Sequence, residues 1–88
     1  MDKNYYVVMH HTTIYAEDGT CGTWDDAVIP VEKAMGLMRA VKFAREKVEK
    51  LHSEIVMNHI RIIGRGDFHI TYEMNGDVVS VSFEVVHI

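Results

Sequence analysis

A β-hairpin at the C-terminal end of the chain constrains the fold more than any other feature of the sequence. Asn75-Gly76 joins two segments in which apolar and polar residues alternate. A two-residue type I′ turn needs positive φ at both central positions, which Asn-Gly favours. Pairing Met74 with Asp77 and continuing outwards aligns the apolar residues of both arms on one face. That face consists of Phe68, Ile70, Tyr72, Val79, Val81 and Phe83.

The middle of the chain has a helical pattern instead. Apolar residues recur every three or four positions, which is the spacing of one buried helical stripe. Pro30 precedes this segment, and proline favours the first helical position. The helix is therefore predicted to run from about residue 31 to about residue 57. Its stripe consists of Ala34, Leu37, Val41, Ala44, Val48, Leu51 and Ile55.

The remaining segments predict strands and turns. Tyr5–Ala16 is rich in β-branched and aromatic residues and has no cleanly polar face, which indicates an internal strand. A turn at Glu17–Thr20, a loop around Cys21 and a short helical turn beginning at Thr23 are predicted to follow. Residues 59–63 fit either an extension of the helix or a short strand, and three isoleucines among them favour the strand.

These elements define the fold class. We expect a single α+β domain spanning residues 1–88, a two-layer sandwich with one long helix packed on a small antiparallel sheet of three to four strands, in the order β-α-(β)-β-β. A chain of this size buries only about 60–65% of its unfolded surface, so a partner subunit would add useful stability. The predicted interface places Leu37, Val41, Val48, Leu51 and Ile55 on Phe68, Ile70, Tyr72, Val81 and Phe83.

Several functional classes are disfavoured by composition. Cys21 is the only cysteine, so no disulfide forms within the chain and a cytoplasmic setting is expected. No run approaches the roughly 20 apolar residues of a membrane helix, so no membrane partner is expected. Six histidines are present, but His10 and His11 are adjacent on a strand and point to opposite faces. We expect no metal site, no cofactor and no catalytic residues, because no motif for any of them is present.

The C-terminal strand lacks the residues that protect a sheet edge. No Lys, Arg or Pro occurs from Val78 to Ile88, although natural sheets use such residues to discourage pairing with other chains. Val78, Val86 and Ile88 also lie opposite the main apolar row of the hairpin. We expect these three residues to bind another protein, most directly a second copy in a homodimer. Small size, acidity and the lack of catalytic groups are typical of bacterial and phage regulators and inhibitors, and predict a non-enzymatic protein-binding module.

The distribution of charge gives an alternative function. The net charge is −4, yet residues 30–65 hold eight basic residues against four acidic ones. A basic helix face can contact phosphates, so a nucleic-acid-binding regulator is the second hypothesis. Its candidate residues are Arg39, Lys42, Lys50, Arg61 and Arg65. Packing of a basic middle segment against acidic flanks explains the same distribution without nucleic acid, so protein binding is preferred.

Overall fold

The structure, a computed structural model, describes residues 5–27 and 36–87, and the side chains of all of these except 23–27. Within these ranges the chain forms five strands and one helix: β1 (Tyr6–Tyr15), β2 (Cys21–Ala27), α1 (Leu37–Met57), β3 (Arg61–Arg65), β4 (His69–Met74) and β5 (Asp77–His87). The strands make one antiparallel sheet in the order β2-β1-β5-β4-β3, and α1 packs on one of its faces. The predicted α+β class is confirmed, but the sheet has five strands instead of three to four.

The C-terminal hairpin has the predicted register. Met74 pairs with Asp77, and Ile70 pairs with Val81. Asn75 and Gly76 have φ values of 54° and 86°, as a type I′ turn requires. A Cβ atom at Gly76 would also lie 2.6 Å from a carboxylate oxygen of Glu17. The positive φ therefore favours glycine there, whereas the exposed Glu17 side chain could move to make room for a Cβ atom.

Strand β2 was not predicted from the sequence. Ala16 N–H donates to the carbonyl of Thr20 at 2.8 Å, and Asp18 Oδ1 accepts hydrogen bonds from the backbone and the hydroxyl of Thr20. This turn folds the chain back along β1, with Tyr15 paired to Cys21. The predicted loop at Cys21 and helical turn from Thr23 are wrong, because a full ladder of hydrogen bonds to β1 outweighs a weak local capping pattern.

The helix ends where it was predicted to end but begins later. Gly36 has φ −64° and ψ 162°, an extended conformation, so the predicted continuous helix through this residue is wrong. The predicted residues 31–35 lie outside the described residues. At the other end, Asn58 donates its backbone and side-chain N–H groups to the carbonyl of Glu54. The chain then enters β3, which confirms the strand interpretation of this segment.

The core lies between α1 and the middle strands. Its buried residues are Val8, Ala40, Ala44, Val48, Ile55, Ile70, Val79, Val81 and Phe83. Leu51 and Tyr72 pack against them while half-buried. Three members of the predicted interface lie outside this core: Leu37 is 50% exposed, Phe68 is 37% exposed, and Val41 is half-buried without packing on the cluster. Leu37 and Phe68 lie at the end of the sheet where α1 begins.

Strand β5 is central in the sheet. It pairs with β1 on one side and, from Asp77 to Ser82, with β4 on the other. The prediction of a C-terminal edge strand is therefore wrong over this length, because the N-terminal strand adds beside β5 and covers it. In the described part of the chain, no helix is both long enough and apolar enough to cross a membrane.

Candidate functional site

Strand β4 stops pairing well before β5 ends. Its outermost pair is His69 with Ser82, and one further hydrogen bond runs from Phe83 N–H to the carbonyl of Phe68 at 2.8 Å. Beyond this point residues 84–86 pair only with β1 among the described residues. We call residues 84–86 the β5 overhang. Within the described part of the chain, it forms a short length of unpaired sheet edge on a strand that is otherwise central.

Val85 presents the backbone groups of this free edge. Backbone N–H and C=O groups point alternately to the two sides of a strand. Since Phe83 N–H points towards β4, the N–H and C=O of Val85 point the same way, while those of Glu84 and Val86 point towards β1. No described residue forms a hydrogen bond with Val85 on the β4 side. Val85 thus offers one donor and one acceptor to an incoming strand.

An apolar cavity lies beside these backbone groups. It has a volume of about 520 Å³ and is called the notch below. Its lining residues are Val41, Phe68, His69, Ser82, Phe83, Glu84 and Val85. Val41 also borders a neighbouring groove of about 600 Å³, together with Leu37, Met38, Arg65 and Asp67. The two cavities place apolar surface on both sides of Val41.

Two partly exposed residues of the predicted core, Leu37 and Phe68, lie at the end of the sheet that contains the notch. Leu37 lies one helical turn before Val41, so both side chains are on the helix face that packs on the sheet. Leu37 is nevertheless 50% exposed, and Phe68 is 37% exposed whereas Phe83 is 7% exposed. The reason is that β4 begins only at His69, and no described strand lies beneath the first turn of α1. The notch has the position of one missing stretch of strand.

The open-face rim of the notch is polar. The Glu84 side chain is 63% exposed, and its Oε1 lies 3.1 Å from His11 Nε2. The turn before β4 is closed by a hydrogen bond from Gly66 N–H to the carbonyl of His69 at 2.9 Å. Asp67 lies in this turn and is exposed. Glu84 therefore places one acidic side chain at the notch, and Asp67 lines the neighbouring groove.

The outer edge of β3 is protected against pairing in the usual ways. Arg61 and Arg65 lie at its ends, and its register shifts between Ile62 and Gly64. Charged side chains and bulges of this kind discourage the addition of another strand. The β5 overhang has no bulge and no basic residue, and Glu84 is its one charged side chain.

Two of the predicted protein-binding residues, Val78 and Val86, lie far apart on β5. Val86 belongs to the overhang and is half-buried beside its pairing partner Val7. Val78 lies eight residues away on the same strand, about 26 Å at a rise of about 3.3 Å per residue. Ile88 lies outside the described residues. Sequence reasoning missed Val85, since its side chain belongs to the row expected in the core.

The candidate nucleic-acid-binding residues are divided between the two flanks of α1. Lys42 and Arg65 border the groove next to β3, together with three acidic residues. Lys50 lines a different cavity, on the β1 side of the helix. Lys42 Nζ lies 3.9 Å from a carboxylate oxygen of Glu46. Arg39 and Arg61 are exposed, but the five residues do not make one continuous basic surface.

Arg65 is held by the helix. Its guanidinium donates hydrogen bonds to a carboxylate oxygen of Glu49 and, at 2.6 Å, to Nδ1 of His52. The hydrogen bond from Arg65, followed by the Coulomb attraction of its positive charge, holds the pKa of the Glu49 carboxyl below its ordinary value. A carboxyl with a lower pKa in the folded state stabilises the fold above its unfolded-state pKa. That contribution is lost as the pH falls through the folded-state pKa.

Replacing Arg65 with Gln is expected to raise the pKa of Glu49 towards its ordinary value, because both the hydrogen bond and the positive charge are removed. The part of the unfolding free energy that is lost at low pH because Glu49 becomes protonated should therefore be smaller in this variant. Carboxyl titration by NMR measures the pKa directly. Lys42→Gln is the matched control, since Lys42 pairs with Glu46 instead. An unchanged Glu49 pKa in the Arg65 variant would show that this contact does not form in solution.

Other classes of site have little support in the described ranges. Within them, no three His, Cys, Asp or Glu side chains are grouped so that they could hold a metal ion. Cys21 is exposed and has a free thiol. No family model, curated protein or solved structure shows significant similarity to this chain. The function is therefore inferred from the geometry of the notch and the overhang.

Proposed function

We propose that the protein is a non-enzymatic protein-binding module, a small regulator or inhibitor of bacterial or phage type that acts in the cytoplasm. It recognises an extended segment of its partner by β-strand addition at the β5 overhang. The observation that carries this proposal is that the N–H and C=O of Val85 have no described partner beside an apolar notch. In this mode of recognition, main-chain hydrogen bonds supply affinity and side-chain pockets supply specificity.

The incoming strand extends the sheet in the position that β4 leaves empty. Its residue opposite Val85 points to the helix face, because opposite residues on paired strands share a face. That side chain enters the notch, between Phe68 and the first turns of α1. Burying one Val or Leu side chain there contributes about 1.5–3 kcal/mol. Leu37 and Phe68 lose solvent exposure at the same time, which adds to the stabilisation.

A second copy of the chain is the simplest partner. The overhang is extended and contains Val85 and Val86, so two copies can pair antiparallel about a two-fold axis, the commonest symmetry of protein dimers. Sedimentation at micromolar concentration is expected to detect this homodimer. A single species of 10.1 kDa at all concentrations would contradict it.

Affinity capture with and without nuclease separates protein binding from nucleic-acid binding. The full chain is used as bait beside two variants, Val85→Pro, which lacks the N–H donor, and Val85→Thr, which keeps it. We expect one protein to be recovered in a nuclease-insensitive manner by the wild type and Val85→Thr, and lost with Val85→Pro. Recovery that depends on nucleic acid, and that is unchanged in both variants, would contradict strand addition and favour the basic residues Arg39, Lys50 and Arg61.

A further inference from the structure

We infer that the notch selects an extended segment in which an apolar residue, opposite Val85, is followed by a lysine or arginine, opposite Glu84. This inference rests on the proposed strand addition and specifies the chemistry of the partner. The segment runs antiparallel to β5, as β4 does. In chain order the partner therefore presents its apolar residue first and its basic residue second.

The position opposite Val85 requires an apolar side chain. It continues the row formed by Ile70 and Phe68, whose side chains are on the face of the sheet that α1 covers. Val41 of the helix lies above it, and Val85 and Phe83 lie beside it. A polar side chain placed there would lose its hydrogen bonds to water. It would gain none in return, because the side chains of Val41, Phe83 and Val85 offer no hydrogen-bonding partner.

The position opposite Glu84 favours a basic side chain. When Val85 exchanges both backbone hydrogen bonds with the incoming strand, Glu84 and its opposite residue form the neighbouring non-hydrogen-bonded pair, in which side chains are closest. Opposite charges in such pairs attract, and like charges repel. The Glu84 side chain is 63% exposed, and only its Oε1 contacts His11. Its other carboxylate oxygen has no hydrogen bond or ion pair with a described residue.

The charges around Glu84 strengthen this preference. Residues 66–88 contain no lysine or arginine, and Asp67, in the turn before β4, is a further acidic residue at this end of the hairpin. The nearest base on β3, Arg65, is held by Glu49 and His52. The overhang itself reads Glu84-Val85-Val86, so a second copy supplies an apolar residue but no base. The homodimer is accordingly the weaker complex, and the preferred partner displaces it.

A charge-swap titration tests the inference. The probes are short capped peptides that end in the sequences Thr-Val-Leu-Lys, Thr-Val-Leu-Glu and Thr-Val-Asp-Lys, because Phe68 already occupies the position opposite Phe83. They are added to the full chain and followed by NMR. We expect the wild type to bind the Leu-Lys peptide about fivefold more tightly than the Leu-Glu peptide. The Glu84→Lys variant should reverse this order, and Glu84→Gln should bind both peptides alike. The Asp-Lys peptide should bind to none of them.

The outcomes separate this inference from the proposed function. Equal binding of the Leu-Lys and Leu-Glu peptides by wild type and Glu84→Lys, lost in Val85→Pro, overturns the charge preference and leaves strand addition standing. Peptide binding that persists in Val85→Pro overturns strand addition itself. The absence of binding by any peptide contradicts both the charge preference and the addition of a partner strand.

Discussion

Replacing Ile70 with Ala is expected to lower the free energy of unfolding by about 2–5 kcal/mol, the range for deleting a fully buried Ile or Leu side chain. Ile70 has no solvent exposure and is among the largest of the fully buried side chains. It lies on β4, paired with Val81, within the cluster that α1 covers. Domains have only about 5–15 kcal/mol of stability in total, so this one substitution removes a large fraction of it.

The matched control for this prediction is Ile63→Ala. The same atoms are removed, but Ile63 is 50% exposed and lies at the register shift of the outer strand β3. We expect a change within about 0.5 kcal/mol there, as for other surface substitutions. Urea unfolding monitored by circular dichroism gives both values. Equal midpoints for the two variants would show that Ile70 is not at the centre of the core.

Replacing Val85 with Pro is expected to weaken partner binding by about tenfold or more while the fold is retained. One lost main-chain hydrogen bond accounts for about 0.5–1.5 kcal/mol, and the proline ring also obstructs the approaching strand. The fold is retained because the N–H of Val85 points away from β1 and forms no hydrogen bond with a described residue. Proline is tolerated at such edge positions.

Val85→Thr is the matched control, since threonine keeps both the N–H and the β-branched shape. Sedimentation and titration with the Leu-Lys peptide measure binding, and thermal unfolding checks that both variants are folded. We expect the threonine variant to self-associate and bind as the wild type does. Equal binding by the two variants would show that the overhang does not take part in recognition.

The features that could be predicted from the sequence are those set by local chemistry. The Asn75-Gly76 turn fixes its own register, and the helical stripe identifies Val48 and Ile55 as core residues. Strand β2 could not be predicted in this way, because it depends on pairing with β1 and its own sequence has a weak capping pattern. Position in the sheet is likewise non-local, which is why β5 was expected at an edge although β1 adds beside it.

The candidate site could be predicted in part. The lack of protecting residues after Val78 drew attention to the C-terminal strand, in which only residues 84–86 have an unpaired side among the described residues. The sequence indicates where pairing with β4 stops. Gly66 and Asp67 form the turn just before Phe68, whereas the opposite arm of the hairpin continues as a strand past Phe83. The exposure of Leu37 could not be inferred, because it depends on where β4 ends relative to α1.

The central claim is that the backbone N–H of Val85 has no hydrogen-bonding partner in the monomer. Amide hydrogen exchange measures this directly. In the monomer at low concentration, we expect the Val85 amide to exchange quickly, while the Glu84 and Val86 amides, which point to β1, are protected. Addition of the Leu-Lys peptide should then protect Val85 and leave the other two almost unchanged. A Val85 amide that is as protected as its neighbours in the partner-free monomer would contradict the account.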